Sequence, residues 1–384
     1  MSAVRVLHVV VSMVHGGIET FLMSMLRCYD RSKFEMDVVY TGPREGEYAP
    51  EVRTLGSKIF GCRLKYDQLR FVYNFYRMLR REKYDSINVH LADMGGGAIL
   101  AAWLARVPVR VASYNTTLAD MGALRNLYLR IMRHIIVRFA TEITTSSPGV
   151  TESHFRTVKV PREKVHAISY GVDVNFFATG PEKKIEMAKL GFSPNNLIVG
   201  HVGSYRPQKN HEALLKIAKK VIEAVPNARF LLCGAACNSP NVTGAYKDMI
   251  DRKIEEMGLS EYIDQIQDLD DMRQFYHAID VFVLPSRLEG MPISLIEAQA
   301  AAKPVVASKI NGIVIATAPK MRNNLFEIDD IESFADCVID LLKDKEKMLR
   351  LGKAGQEFVK KELDIRVAVK RYEELYLRPI SANN

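Results

Sequence analysis

Nineteen residues, Asp280–Ala298 (DVFVLPSRLEGMPISLIEA), carry the densest set of groups able to do chemistry in this chain. The apolar run Val281–Leu284 predicts a strand, Pro285–Met291 a turn, and Pro292 the opening of a helix that continues to Ala302. Proline suits a helix's first position, where its missing N–H would have found no partner. The free N–H groups of Ile293, Ser294 and Leu295, with the helix dipole, then make a seat for an anion such as a diphosphate. Glu289 stands before this seat and Glu297 lies in the helix's second turn. Carboxylates are poor phosphate ligands but good hydroxyl acceptors. A ribose and a sugar on either side of a diphosphate would supply such hydroxyls.

The elements that must position these groups alternate strand and helix from one end of the chain to the other. In the first half the pattern predicts strands at Val6–Val11, Met36–Tyr40, Ser86–His90, Val109–Ser113 and Glu142–Thr145. Helices are predicted at Glu19–Cys28, Phe71–Glu82, Ala98–Ala105 (after a Gly95-Gly96-Gly97 turn) and Leu124–Phe139. The pattern then restarts with strands Ile198–Val202, Ala228–Cys233, Ile263–Gln267, Val281–Leu284 and Val305–Ala307, interleaved with helices. Such alternation marks a parallel sheet covered on both faces, here twice over: an α/β chain of two Rossmann-like, doubly wound domains. The break falls where Ala178-Thr179-Gly180-Pro181 interrupts any helix. Residues 1–178 and 179–364 are therefore the expected domains, and the amphipathic segment Arg366–Leu377 is free to return to the first, which takes in 365–384.

Composition sets bounds on function. At 384 residues, 48% hydrophobic and 26% charged, the chain reads as soluble and globular. No apolar run approaches the roughly 18 residues needed to span a bilayer, and Val4–Val14 reads as a buried first strand, so a cytoplasmic protein is expected. Of the five cysteines only Cys233 and Cys237 are close, with no second pair at zinc-like spacing, so reduced thiols and no metal are expected. The net charge of +8 is lopsided: residues 1–180 hold 24 Lys+Arg against 16 Asp+Glu, and the remainder 29 against 29. A basic half points to an anionic partner, whether a membrane surface, a phosphate-bearing lipid or nucleic acid. No recognised nucleic-acid motif accompanies the charge. On Leu124–Phe139, Arg125, Arg130, Arg133 and His134 share one face, with Arg138 just beyond, a pattern compatible with a helix resting on an anionic membrane.

The Asp280–Ala298 string resembles the EGxPxxxxEA signature of retaining family-4 glycosyltransferases of the GT-B fold, especially bacterial exopolysaccharide and capsule enzymes. VLHVVVSMVHGGIETFLMSM (Val6–Met25) is similar to that family's opening strand, glycine loop and helix. HVGSYRPQKNH (His201–His211) resembles its phosphate loop, AISYGVDVNFF (Ala167–Phe177) its linker entry, and KPVVAS (Lys303–Ser308) the strand after the signature helix. The resemblance implies an active site in a cleft between the two domains. Lys209 would pair with the donor diphosphate and Glu297 would accept from the donor ribose. Glu289 would hold hydroxyls of the transferred sugar, with backbone amides at Gly290, Met291 and Pro292 approaching it. Gly16 and Gly17 would bring the first helix close to the donor phosphates, and Gly203, Ser204, Arg206, Ser286, Ile293 and Ser294 complete the expected donor contacts. Such enzymes need no metal or other cofactor, and no DxD-like strand-end motif is present.

The sequence also departs from that family. Ser204 stands where an arginine is common, with Arg206 two residues later as the candidate substitute. Asn115 stands where a first-domain histidine is usual, and His90, at a strand end, is the candidate replacement. The expected activity is transfer of a hexose-type sugar from a UDP- or GDP-linked donor to a hydroxyl of a glycan or lipid-linked sugar, with retention at the anomeric carbon. The competing readings are a catalytically degenerate nucleotide-sugar-binding protein and a sugar-nucleotide epimerase of the same architecture.

Overall fold

The computed structural model describes residues 3–381 apart from 15, 65–66, 117–121, 235–243, 268 and 270. The chain divides into two compact units, Met1–Gly171 with Ile365–Asn384, and Val172–Asp364. The division lies at Gly171, ahead of the Ala178–Thr179 break expected from sequence. The short helix Val174–Ala178 is held by the second unit: the carbonyl of Phe177 bonds to His277 Nε2 at 3.0 Å, and the Phe177 ring packs edge-on to Tyr276.

Among the described residues the first unit forms one parallel sheet of β1 (Val4–Val10), β2 (Phe34–Tyr40), β3 (Ile59–Gly61), β4 (Ser86–Val89), β5 (Val109–Tyr114), β6 (Glu142–Thr145) and β7 (Val165–Ala167). Its order is β3-β2-β1-β4-β5-β6-β7. The second unit holds β8 (Leu197–Val202), β9 (Ala228–Cys233), β10 (Ile263–Ile266), β11 (Val281–Leu284), β12 (Val305–Ser308) and β13 (Leu325–Phe326), ordered β10-β9-β8-β11-β12-β13. Parallel strands covered on both faces become continuous apolar runs, which is why Val281–Leu284 and Val305–Ser308 are buried throughout. In each sheet the chain winds outward one way, then crosses back beside its starting strand. That reversal, between β1 and β4 and between β8 and β11, opens a crevice at the strands' carboxyl ends where ligands of such sheets bind.

The last helix, Ile365–Ser381, belongs to the first unit. Tyr372 packs against Phe21 of the helix Gly17–Cys28, and Tyr376 Oη accepts from Asn88 Nδ2 at 2.9 Å. The glycines Gly96 and Gly97 lie inside the helix Gly96–Leu104, not in a turn before it. A side chain on Gly96 would place its Cβ 2.9 Å from the backbone oxygen of Met132, so glycine lets the helix Ala123–Phe139 approach.

That approach corrects one expectation. Arg133 does not share the outer face with Arg125 and Arg130: it is 4% exposed and turned inward, donating to both oxygens of Asp93 at 2.9 and 2.5 Å. Tyr114 Oη also donates to this carboxylate, and His154 Nδ1 lies 3.4 Å from it. Burial pushes the Asp93 carboxyl up, but hydrogen bonds from His154 and Arg133 outweigh it and hold it below the usual range. Arg133→Ala would strand a buried carboxylate, a loss of about 3–5 kcal/mol. The expected result is a fall in Tm of about 10 °C by differential scanning calorimetry.

Candidate functional site

The crevice of the second unit is built from the loops that follow β8 and β11. His201 Nδ1 bonds to the Val283 carbonyl at 2.9 Å and ties the two strands together at their ends. Gly203 then turns the chain, its N–H donating to the Cys233 carbonyl at 2.9 Å, and a single turn Pro207–Lys209 leads to Asn210. Asn210 has the left-handed backbone (φ 55°) that asparagine tolerates better than most residues. Its Nδ2 donates to the Pro285 carbonyl and to Asp329 Oδ1, both at 3.1 Å. The Arg287 N–H donates to the Gln208 carbonyl at 2.7 Å. The two loops are thus stapled into one wall of the crevice.

On that wall Lys209 Nζ lies 2.6 Å from Glu289 Oε1, and Ser286 Oγ donates to the same oxygen at 2.8 Å. The stem of Lys209 passes over Gly203, where a Cβ would sit 3.0 Å from Lys209 Cδ. Ser204 is half-buried and Arg206 is exposed. The residues expected on phosphate and sugar are therefore in contact with one another here.

The signature helix runs Ile293–Ala300, one residue later than its sequence suggested. Pro292 is the N-cap and not the first helical residue: its ψ of 112° is extended, and its carbonyl accepts the first helical bond from Ile296 N–H at 3.4 Å. The N–H groups of Ile293, Ser294 and Leu295 precede that bond and have no helical acceptor. Glu297 is 7% exposed, and Tyr276 Oη donates to its Oε2 at 2.7 Å. Burial pushes the Glu297 carboxyl up to about 7, against the opposing pull of the Tyr276 hydrogen bond.

Two residues of this wall escaped the sequence. Tyr276 comes from the helix Met272–Ala278, and nothing in its spacing marks it as the partner of Glu297. Gly312 backs the Glu289 turn so closely that a Cβ would meet the Gly290 oxygen at 2.3 Å and the Glu289 oxygen at 2.6 Å. The Asn311-Gly312 dipeptide was the available signal. Gly312→Ala must displace this backbone, and misplacing a binding group by an ångström costs about a hundredfold. Steady-state assays are expected to show a kcat/KM loss of that order with circular dichroism unchanged.

The first unit has its own crevice between β1 and β4. A cavity of about 350 Å³ opens there, lined in part by Ile18, Thr41, His90, Ser113, Asn115 and Thr116. His90 Nε2 bonds to His8 Nδ1 at 3.1 Å, with the rings stacked. Burial pulls His90 down to about 4; burial and then the neighbouring His90 pull His8 well below its ordinary range. Both imidazoles are neutral near pH 7. Asn115 Nδ2 is buried with no hydrogen-bond partner, a donor on the cavity wall without an acceptor. Gly16 caps the helix Gly17–Cys28 without a side-chain hydrogen bond. A Cβ on Gly16 would meet Glu19 Oε2 at 2.6 Å, and burial pushes the Glu19 carboxyl up to about 7. Gly16, Gly17, His90 and Asn115 thus belong to the first unit, and the remaining expected donor contacts to the second.

Among the described residues no three His, Cys, Asp or Glu side chains converge as metal ligands. No disulfide joins Cys28, Cys62, Cys233 or Cys337 to one another; Cys237 lies outside the described residues. No helix among the described residues is long and apolar enough to cross a membrane.

Known proteins resemble the chain over both units. A family model described as glycosyl transferases group 1 matches residues 182–358, and a glycosyl transferase 4-like domain matches residues 16–171. A Bacillus subtilis (strain 168) protein named as a glycosyltransferase, EpsF, is 31% identical over 312 residues, 79% of each chain. The UDP-Gal:alpha-D-GlcNAc-diphosphoundecaprenol alpha-1,3-galactosyltransferase of Escherichia coli is 24% identical, covering 90% of this chain and 89% of that protein. In fold, Anabaena Alr3699/HepE in complex with UDP-glucose superimposes with a TM-score of 0.81 at 20% identity, covering 96% of this chain and 98% of that one.

Proposed function

Since the chain belongs to the family-4 glycosyltransferases of the GT-B fold, we propose that it transfers a hexose-type sugar from a UDP- or GDP-linked donor, with retention of anomeric configuration. The observation that carries this reading is the single wall holding Lys209, Glu289, Glu297 and the amino end of the signature helix. The diphosphate sits at the N–H groups of Ile293, Ser294 and Leu295, with Lys209 neutralising charge as it departs. Glu297 accepts from the ribose, and Glu289 with the backbone at Gly290–Pro292 receives the sugar hydroxyls. Gly203, Ser204, Arg206 and Ser286 shape the phosphate side. For the first unit, the roles proposed are those the family implies: Gly16 and Gly17 for the donor phosphates, and His90 and Asn115, as neutral hydrogen-bonding groups, for the sugar or the incoming hydroxyl. The acceptor is a glycan or lipid-linked sugar, supported by the lipid-diphosphate named for the Escherichia coli relative and by the basic first half.

Retention follows if the incoming hydroxyl approaches on the face the diphosphate leaves, the leaving oxygen taking its proton. In this reading no side chain serves as nucleophile and no metal or other cofactor takes part. The test is transfer from UDP- and GDP-sugars to lipid-linked saccharide acceptors, with the product anomer read by proton NMR. The expected product keeps the donor's configuration, and turnover persists in EDTA. An inverted product, or donor binding without turnover across the acceptor panel, would sink the proposal.

A further inference from the structure

The helix Ala123–Phe139 contains no acidic residue, yet most of its surface faces water. Residues 122–127 are all exposed, so its first turn stands clear of the fold it belongs to. Leu124, Leu127 and Ile131, at helical spacing on one stripe, are 86%, 56% and 50% exposed. Arg125, Arg130 and His134 flank that stripe, and among the described residues none of the three makes an ion pair. The contrast within the helix is sharp: Arg133 is the inner anchor on Asp93, and among the described residues the other basic side chains pair with no carboxylate.

The helix Gln68–Glu82 continues the surface. Leu69 and Tyr73 in its first two turns are 83% and 58% exposed, beside Arg70 and Arg77. Both helices run on the same face of the sheet with the helix Gly96–Leu104 between them. Gly96 abuts Met132 on one side and Gly97 abuts Gln68 and Phe71 on the other. Each follows a parallel strand, so the amino ends of all three lie at the strands' carboxyl end, where the His90–Asn115 cavity opens. Exposed cations elsewhere in both units are paired: Arg27, Arg44 and Arg53 with Glu51, Glu47 and Glu45, and Lys220, Lys253 and Arg287 with Glu332, Glu212 and Asp329.

A solvated surface gains nothing from leucines that are mostly exposed, and a nucleic-acid surface has no use for them either. Cations that meet no carboxylate among the described residues, around an apolar stripe on which Arg77 rests over the Tyr73 ring, instead match the two layers of an anionic bilayer, phosphate outside and hydrocarbon within. We propose that the first unit docks on anionic membranes through the first turns of these two helices, Leu124, Leu127, Ile131, Leu69 and Tyr73 entering the interface. Arg125, Arg130, Arg70 and Arg77 meet lipid phosphates. None of these residues is among those proposed to hold the donor.

The test is co-sedimentation of the full chain with vesicles of phosphatidylcholine alone and of an equal mixture with phosphatidylglycerol. The natural chain is expected to bind the mixed vesicles and to release as salt is raised. A Leu124→Ser/Leu127→Ser/Ile131→Ser variant is expected to lose about a thousandfold in partitioning, since each of the three buried aliphatic side chains is worth about tenfold. Arg125→Gln and Arg130→Gln should each lose about fivefold, on the mixed vesicles only. Unchanged Tm and UDP affinity in these variants would show that the fold and the donor site are intact. Failure of the natural chain to bind mixed vesicles, equal binding by the triple variant, or binding to duplex DNA in place of vesicles would each overturn the proposal.

Discussion

Lys209→Met is expected to lower kcat by about a hundred- to a thousandfold, the effect of removing one preorganised group that stabilises developing charge. Methionine keeps the stem that crosses Gly203, so the loop's packing survives. The complication is Glu289, whose Oε1 is 2.6 Å from the ammonium and whose side chain is only 12% exposed. Removing Lys209 leaves that carboxylate with the Ser286 hydroxyl alone, a perturbation with costs of its own. The double variant Lys209→Met/Glu289→Gln separates the two effects. If Lys209 serves only to neutralise Glu289, the double variant should turn over no more slowly than Glu289→Gln alone. If it balances the departing diphosphate, kcat in the double variant stays well below that of Glu289→Gln. Pre-steady-state and steady-state rates with saturating donor give the answer, and a kcat unchanged by Lys209→Met would remove the residue from the mechanism.

The second large effect concerns Glu297. Glu297→Gln is expected to weaken donor and UDP binding by about tenfold to a hundredfold, the worth of hydrogen bonds to a charged acceptor. The pH dependence identifies the cause. Burial raises the Glu297 carboxyl from 4.5 to about 7, so near neutrality the site holds a mixture of protonated and ionised forms. Tyr276 already donates to Oε2, and ribose hydroxyls require the ionised oxygen as acceptor. Binding should therefore tighten as pH rises through about 7 and release a proton, whereas Glu297→Gln should be flat in that window. The ligand-free protein follows the opposite sign. A carboxyl whose folded pKa lies above its unfolded value contributes most to stability below 4.5 and loses that contribution as pH rises through about 7. The Tm of the ligand-free protein should fall across this range while the increment given by UDP grows. Titration calorimetry in buffers of differing ionisation enthalpy measures the proton directly, and identical profiles for the two proteins would refute the assignment.

Some of this was legible in the sequence, for reasons that differ from residue to residue. Val281–Leu284 and Val305–Ser308 announced themselves because a parallel sheet covered on both faces demands unbroken apolar runs. Short edge strands such as Ile59–Gly61 and Leu325–Phe326 carry too few residues for a period to show. The Gly95-Gly96-Gly97 run suggests a turn because glycine is permissive, whereas the absent side chains of Gly96 and Gly97 serve close helix contacts. Periodicity puts Arg133 outside because a helical wheel records angle and not what waits across the interface; Asp93 is forty positions away and invisible to it. Glu289, Glu297 and Lys209 stood out because carboxylates and a lysine beside a helix start are chemically unusual, but their mutual contacts are tertiary facts. Tyr276 and His8, each the hydrogen-bond partner of an expected site residue, had no local signal at all.

A crystal structure of the protein with UDP is the most direct test of the claim that one wall of the second unit receives the donor. The diphosphate should lie within hydrogen-bonding distance of the N–H groups of Ser294 and Leu295 and of Lys209 Nζ, with the ribose hydroxyls on Glu297. Nucleotide bound away from the amino end of the signature helix would contradict the account.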